Sequence, residues 1–175
     1  MKVTDLSSTE AAAFYQNYIN SVHPALNLSE ALLAGHEEMR ALSNTICAQK
    51  KEKYSYLPNK WSVQDVLLHL IDAERVFCYR ALCISRNDQT HFPGFEEDAY
   101  VTGAAANNRT FESIIEEFFA VRDATIVLFK NLNAQQLALL GTASNNPISV
   151  RALGFIIVGH FNHHLQILNN RYLML

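Results

Sequence analysis

Apolar residues recur at three- and four-residue steps along most of this 175-residue chain, and this spacing restricts its fold more than any other feature. It places apolar side chains on one face of an α-helix. No segment shows the alternation of apolar and polar residues that is typical of a half-buried β-strand. The sequence therefore predicts an all-α protein in which several helices bury their apolar faces against one another.

Capping signals divide this pattern into separate helices. Ser7 and Glu10 form a possible capping box for a first helix over about residues 11–22, which Pro24 ends. Ser62 is a predicted N-cap of the third helix, which ends before Asn87. The remaining helices are predicted over about residues 29–50 and 110–131, at a short turn over 134–140, and from near residue 149 onward.

The connection from Asn87 to Arg109 is too long for an ordinary helix hairpin and contains Pro93, Gly94 and Gly103. It is predicted to cross the bundle and to leave its flanking helices parallel. Because the chain shows no internal repeat or low-complexity tract, one domain is expected over residues 1–175.

Composition argues against several other classes of protein. With 49% apolar and 18% charged residues the chain is too hydrophobic for disorder, and a net charge of −3 without a polybasic block predicts no nucleic-acid surface. The apolar stretches are shorter than the roughly 20 residues that span a bilayer, so no membrane segment is predicted. Cys47, Cys78 and Cys83 are an odd number without metal-ligand spacing, which favours a reducing compartment and a cytoplasmic location.

The segment from Gly159 to His164 contains three histidines, and a helix places His160 and His164 one turn apart on the same face. Two imidazoles at this spacing can share one metal ion, as in HExxH motifs, although the catalytic glutamate of that motif is absent. His163 lies about 100° round the helix from His164 and is interpreted as a residue at the rim of the site. A pairing of His160 with His163 remains open.

His69 lies within an otherwise apolar helix, where a histidine is costly to bury unless it is hydrogen-bonded or coordinated. Helical bundles build metal sites from inward side chains on facing helices, so His69 is a candidate third ligand beside His160 and His164. The alternative is that all three are structural histidines of the core or the surface.

The sequence resembles the DinB/YfiT-like superfamily of metal-dependent enzymes. The resemblance rests on KWSVQDVLLHLIDAERVFCYRAL and VRALGFIIVGHFNHHLQILNNRYL, and it extends through FPGFEEDAYV and EEFFAVRDATIVLF, from about Leu28 to Leu173. In that family one histidine of the third helix and two of the terminal H-x3-H helix bind the metal, and these map onto His69, His160 and His164. The resemblance implies a four-helix bundle with a long crossover connection and an extra N-terminal helix, a zinc or nickel ion, and a homodimer.

Members of this superfamily include transferases and isomerases that use bacillithiol, mycothiol or glutathione. The resemblance thus implies a metal-dependent hydrolase or a low-molecular-weight-thiol transferase that acts on a small molecule. Three neutral imidazoles leave at least one coordination position open, which is typical of a reactive metal site. The alternative function is a non-catalytic, stress-associated bundle in which the metal only stabilises the fold.

Charged residues near His69 allow two interpretations. Asp72 lies one turn after His69 and could orient its imidazole, while Glu74 is assigned to surface ion pairs with Arg75 and Arg80.

Five further side chains are interpreted from their surroundings in the sequence. Arg122 and Tyr100 could line the substrate side of the site or hold helices together. Trp61 is predicted to close one end of the core, and Cys78, like Cys83, is interpreted as a small buried hydrophobic residue.

Overall fold

Long helices dominate the computed structural model, which describes residues 1–174. The helices are α1 (Gln16–Asn20), α2 (Leu28–Gln49), α3 (Val63–Ser85), α4 (Glu97–Ala104), α5 (Phe111–Lys130), α6 (Ala134–Ala138) and α7 (Val150–Ile167). A π-helical segment, Leu168–Leu173, continues α7. Single 3₁₀ turns occupy Val3–Asp5, Ala13–Tyr15 and Ala106–Asn108.

Side chains at the predicted boundaries start the four long helices. Ser62 accepts a hydrogen bond from the backbone N–H of Asp65 at the start of α3. Thr110 and Ser149 cap α5 and α7 in the same way. Asn27 caps α2, and Glu30 completes a capping box there. Each cap satisfies a backbone donor that a helix terminus leaves without an intrahelical partner, so local chemistry fixes these starts.

Contacts between the four long helices establish their directions. Glu74 of α3 pairs with Arg122 of α5, and Cys78 further along α3 contacts Thr125 further along α5, so these two helices are parallel. Because α3 and α5 flank the long connection, the predicted crossover is confirmed. Leu28 lies against Gly154 and Gly35 against Phe161, so α2 and α7 are also parallel.

The two parallel pairs run in opposite directions. His69 and Phe77 of α3 contact His164 and His160 of α7 respectively, which is an antiparallel order. The order of the helices around the bundle is α2, α5, α3 and α7. The predicted four-helix bundle is confirmed, and α3 and α7 face each other along their lengths.

A small sheet corrects the expectation that the chain contains no strand. β1 (His91–Phe92) pairs in parallel with β2 (Leu140–Ala143), which pairs antiparallel with β3 (Asn146–Ser149). The β2–β3 turn places Ser144 and Asn145 at φ values of 50° and 62°, as a tight hairpin turn requires. Strands of two to four residues are too short to show a period of two, which is why the pattern missed them.

The predicted first helix over residues 11–22 is wrong in extent. The structure has a 3₁₀ turn followed by the five-residue α1. Glu10 accepts the backbone N–H of Ser7, as in a capping box, but its carboxylate also accepts hydrogen bonds from Ser149 and Arg151 of the β3–α7 region. The long-range partners hold Glu10 in an irregular segment, so the capping box does not start a helix there.

Two apolar clusters form the interior. One joins α1, the β-sheet and the first half of α7 with the start of α2 and the second half of α3. The other joins the rest of α2 and α3 with α5 around Phe118 and Phe161. A buried ion pair, Glu74 with Arg122, lies among these helices. No helix within residues 1–174 is both long and apolar enough to cross a membrane.

Candidate metal centre

Facing positions on α3 and α7 bring three histidines together. His69 is 3% exposed on α3 and His160 is 5% exposed on α7, while His164 is partly buried one turn further along α7. Helical spacing puts His160 and His164 on the same face, and the antiparallel packing of α3 turns His69 toward both. The structure thus assembles the three residues that the sequence selected as candidate ligands.

The three imidazoles form a compact group. Nε2 of His69 lies 3.1 Å from Nε2 of His160, and one ring nitrogen from each histidine lies within 4.8 Å of the others. Ring centroids are 4.9 Å apart for His69 and His164 and 4.6 Å apart for His160 and His164. Among residues 1–174, no other histidine, cysteine or acidic residue joins this group.

Burial keeps these imidazoles neutral. It lowers the pKa of His69 to about 4, against a small opposing effect of the Asp98 carboxylate. Burial lowers the pKa of His164 to about 3, and neighbouring His69 and His163 add to the effect. The pKa of His160 is lowered by burial and then by the other three histidines nearby. Neutral imidazole is the form that binds metal ions.

His163 lies apart from the three-histidine cluster. Its side chain is exposed, and its ring packs edge-on against Tyr18 and His164. Burial lowers its pKa, with a further contribution from Arg171. This position agrees with the interpretation of His163 as a residue at the rim of the site. The geometry favours the pairing of His160 with His164 over the pairing with His163.

Aromatic rings surround the cluster. Trp61 lies 4.9 Å from His69, Tyr18 lies 5.4 Å from His160, and Phe77 lies 6.0 Å from His160 on another side, all measured between ring centroids. Trp61 also donates a hydrogen bond from Nε1 to Asp98 at 3.1 Å and accepts one at its carbonyl from Tyr172. Trp61 therefore packs as predicted, but beside the candidate site.

A close approach of α1 to α7 positions Tyr18. A Cβ atom at Gly159 would lie 2.0 Å from the carbonyl oxygen of Tyr18, so only glycine fits there. Asn162 holds the same contact by donating to the carbonyl of Ser21 at 3.1 Å. Gly159 immediately precedes His160, and the contact sets the Tyr18 ring against that imidazole.

A cavity of about 370 Å³ adjoins the cluster at His160. Its lining is largely aromatic, and its polar side chains come from four different parts of the chain. The lining includes Tyr15, Tyr18, Phe77, Phe95, Arg80, Glu97 and Ser144. Burial raises the pKa of the Tyr15 hydroxyl, although Arg80 and Ser144 beside it act in the opposite direction. The cavity is large enough for a small organic molecule next to the histidines.

The assignment of Glu74 to the surface is wrong. Glu74 is 4% exposed and Arg122 1% exposed, and Arg122 donates to both carboxylate oxygens at 2.8–3.1 Å. Arg122 also donates to the carbonyl of Leu32, and a Cβ at Gly35 would collide with its guanidinium. Of the two roles left open for Arg122, the structure favours holding helices together.

The other side chains that the sequence analysis considered near the site differ in burial and in their partners. Arg80 is buried, which overturns its assignment to the surface, whereas Arg75 is half-exposed and pairs with Glu117. Asp72 lies 3.9 Å from Arg75, and the hydrogen-bond partner of His69 is His160 rather than Asp72. Tyr100 is exposed and packs against Phe95 at the edge of the cavity.

The cysteines take no part in the cluster. Cys78 and Cys83 are partly buried and pack against the core, as predicted, and Cys78 contacts the Thr125 hydroxyl at 3.1 Å. Burial raises the pKa of the Cys78 thiol to about 12. Cys47 is exposed on α2. Cys78 is therefore protonated at neutral pH and is a poor nucleophile.

Several cavity residues had no signal in the sequence. Tyr15 and Tyr18 lie in the N-terminal segment, far along the chain from the histidines, and Ser144 lies in the β2–β3 turn, outside the histidine helices. Only the packing of α1 on α7 and the pairing of β1 with β2 bring them to His160. A glycine directly before a candidate ligand, as at Gly159, was the single local hint of a close backbone approach.

The cluster suits a divalent metal ion. Nδ1 of His164 is buried without a hydrogen-bond partner among residues 1–174, which is costly unless another group binds it. The 3.1 Å separation of two ring nitrogens is close to the roughly 3.4 Å expected for two ligands of one tetrahedral zinc ion. Imidazole suits zinc, nickel, copper and iron alike, so this donor set does not select one of them.

Fold and site together define a class of protein, namely a four-helix bundle in which histidines of facing helices converge. A sequence model of the DinB superfamily matches residues 27–168, and the chain therefore belongs to this superfamily. The matched range contains all four bundle helices and all three clustered histidines. No curated protein sequence matches the chain significantly.

Among solved structures, the chain is similar to YfiT from Bacillus subtilis, which is described as a probable metal-dependent hydrolase with an unusual four-helix bundle topology. The two superpose with a TM-score of 0.68 and 15% sequence identity, over 85% of this chain and 91% of YfiT. At this identity the likeness shows the shared fold.

Proposed function

We propose that this protein is a metal-dependent enzyme in which His69, His160 and His164 hold one divalent ion, with zinc or nickel as the expected metal. The observation that carries this proposal is a group of three neutral imidazoles with no fourth protein ligand in the part of the chain described, beside an aromatic cavity. A closed structural site usually has four protein ligands, whereas a catalytic site keeps one position for water or substrate.

The chain's own residues have distinct roles in this proposal. His69 comes from one helix and His160 with His164 from another, so the site forms only when α3 and α7 are packed together. Tyr18, Trp61 and Phe77 exclude bulk water from the imidazoles. When bound, the ion supplies Lewis-acid chemistry that favours deprotonation of a water molecule or a thiol at neutral pH.

Two reaction types use this arrangement, and both belong to the proposal. YfiT is described as a probable hydrolase, which favours hydrolysis of a small ester or amide. The superfamily resemblance also favours transfer of a low-molecular-weight thiol to an electrophile. The homodimer and the cytoplasmic location expected from the sequence stay predictions.

The test compares protein loaded with zinc or nickel against protein treated with a chelator. Panels of esters and amides measure hydrolysis, while bacillithiol, mycothiol, glutathione and cysteine with several electrophiles measure thiol transfer. We expect one of these reactions to depend on metal, to be lost in His164→Ala, and to persist in His163→Ala. Equal rates with and without metal in every assay would contradict catalysis and favour a metal that only stabilises the fold.

A further inference from the structure

Arg80 is a buried cation for which the structure shows no counter-charge. Its side chain is 3% exposed, yet among residues 1–174 no carboxylate forms an ion pair with it. Four other arginines differ, since Arg75, Arg109, Arg122 and Arg151 each pair with a glutamate. Buried charges are normally paired, because removing an ion from water costs several kcal/mol.

The contacts that Arg80 does make leave its charge uncompensated. Nη2 donates to the carbonyl oxygen of Pro93 at 2.6 Å, and the guanidinium lies 5.9 Å from the centroid of the Phe77 ring. Both partners are neutral, and a guanidinium has five N–H donors in a planar fork that suits an oxyanion. Arg80 therefore has donors left for a ligand.

The position of Arg80 connects it to the candidate metal centre. Arg80 and His160 line the same cavity of about 370 Å³. Both also contact the Phe77 ring, so one aromatic ring separates the cation from the metal-binding imidazole. At the Arg80 end, Tyr15 and Ser144 add hydroxyl groups that could donate to the same ligand.

Charges around the cavity restrict where a negative ligand can bind. Glu97 also lines the cavity, but it is exposed and forms no ion pair with Arg80. Its carboxylate repels a second anion, so the cavity favours a molecule with its negative charge at the Arg80 end only.

We propose that Arg80 binds the anionic group, a carboxylate or a phosphate, of a small aromatic or apolar substrate whose body lies along Phe77 toward His160. This inference rests on the proposed function, because it places the reacting part of the substrate beside the three-histidine cluster. Arg80 is in this account a residue that determines specificity.

The test measures binding of simple probes to metal-free protein, so that no probe can bind through a metal ion. Benzoate and its neutral analogue benzamide are compared by calorimetry, and phenylphosphonate tests a phosphate-like group in place of the carboxylate. We expect one of the two anions to bind at least about ten-fold more tightly than benzamide, as a buried charge-assisted hydrogen bond implies. Arg80→Met should reduce this ratio to about one, and Arg80→Lys should retain part of it.

Arg75→Met is the matched control, since Arg75 lies on the same helix but is half-exposed, and it should leave the ratio unchanged. If Arg80→Met does not fold, nuclear magnetic resonance of the wild-type protein replaces it. The anion but not benzamide should then shift the signals of the Arg80 side chain, Gly94 and Ser144. Equal binding of anions and benzamide, or selectivity that survives in Arg80→Met, would overturn the proposal.

Metal content separates this proposal from the proposed function. Arg80→Met should bind as much zinc as the wild type, because Arg80 is not in the histidine cluster. A wild-type protein that binds zinc but does not prefer the anions to benzamide would contradict the anion site alone. A wild-type protein that prefers the anions but binds no metal would contradict the proposed metal enzyme and still support the anion site.

Discussion

The bundle buries two groups of polar side chains that are satisfied in different ways. Glu74 and Arg122 neutralise each other, and three hydrogen bonds of 2.8–3.1 Å join them. His69, His160 and His164 carry no charge at neutral pH, and Nδ1 of His164 has no partner within residues 1–174. The first group completes its interactions inside the chain, whereas the second offers lone pairs to something else.

This difference separates a structural group from a binding group. Removing one half of a compensated pair leaves a buried charge, which is strongly destabilising. Removing one of several neutral imidazoles leaves no charge behind, so the effect on the fold should be smaller and the effect on ligand binding larger. The first three predictions below test the two sides of this contrast, and the fourth extends it to another buried polar group.

The largest expected effect is the loss of stability when the buried ion pair is broken. Arg122→Met should lower the free energy of unfolding by about 3–5 kcal/mol, because it leaves the Glu74 carboxylate buried and unpaired. The double variant Glu74→Leu with Arg122→Met should recover most of this loss. Urea denaturation of metal-free protein measures both. A single variant that costs less than about 1 kcal/mol would show that the pair is not structural.

The second prediction concerns stabilisation by metal. Zinc at 100 times its dissociation constant should raise the free energy of unfolding of the wild type by about 2.7 kcal/mol. His164→Ala should lose this gain, and His163→Ala should keep it, because only His164 belongs to the cluster. Thermal unfolding with and without zinc measures the effect. An equal gain in both variants would place the metal elsewhere.

The third prediction is a pH dependence of the metal-free protein. The folded-state pKa of His69 is about 4 against an ordinary 6.5, so the unfolded chain binds a proton there that the folded chain does not. The contribution of His69 to stability is therefore full above pH 6.5 and is lost as the pH drops toward 4, by roughly 3 kcal/mol. In His69→Leu the stability lost between pH 6.5 and pH 4 should be smaller by the contribution of His69. Parallel curves for the two proteins in urea titrations would contradict a buried neutral His69.

The smallest effect is expected at a third buried polar group, formed by Glu10 and its hydrogen-bond donors. Burial alone raises the pKa of Glu10, but hydrogen bonds from Arg151, Ser7 and Ser149 outweigh it and bring the pKa to about 2. Glu10→Gln should cost about 1 kcal/mol at pH 7, since glutamine keeps part of the hydrogen bonding. The difference in the free energy of unfolding between the wild type and Glu10→Gln should be full above pH 4.5 and vanish as the pH falls toward 2. A difference that persists at pH 2 would show that charge is not its cause.

The same contrast explains what could be predicted from the sequence. The caps at Ser62 and Thr110 are local, and the H-x3-H spacing is one helical turn, so the long helices and the three-histidine group could be found without a structure. The role of Glu74 could not, because its partner Arg122 is 48 residues away. Helical spacing puts Glu74 on the buried face with Leu70 and Phe77, but its charge favoured the surface.

Glu10 and Arg80 show the same limit. The local pattern around Glu10 indicates a helix start, but the residue pairs with Arg151, which is 141 positions further along. Arg80 has the helical spacing of a core residue, three positions after Phe77 and four before Ile84, but its charge favoured the surface. The carbonyl of Pro93, 13 residues further along, accepts a hydrogen bond from it. Short-range signals fix element boundaries here, and long-range pairing decides which polar residues are buried.

The most direct measurement is the metal content of the purified protein and its histidine variants, determined by elemental analysis after equilibration with zinc or nickel. We predict about one ion per chain in the wild type and in His163→Ala, and loss of most of it in His69→Ala, His160→Ala and His164→Ala. X-ray absorption of the loaded protein should show imidazole nitrogen ligands at about 2.0–2.1 Å for zinc. Unchanged metal content in the three cluster variants, or loss in His163→Ala alone, would contradict the three-histidine centre.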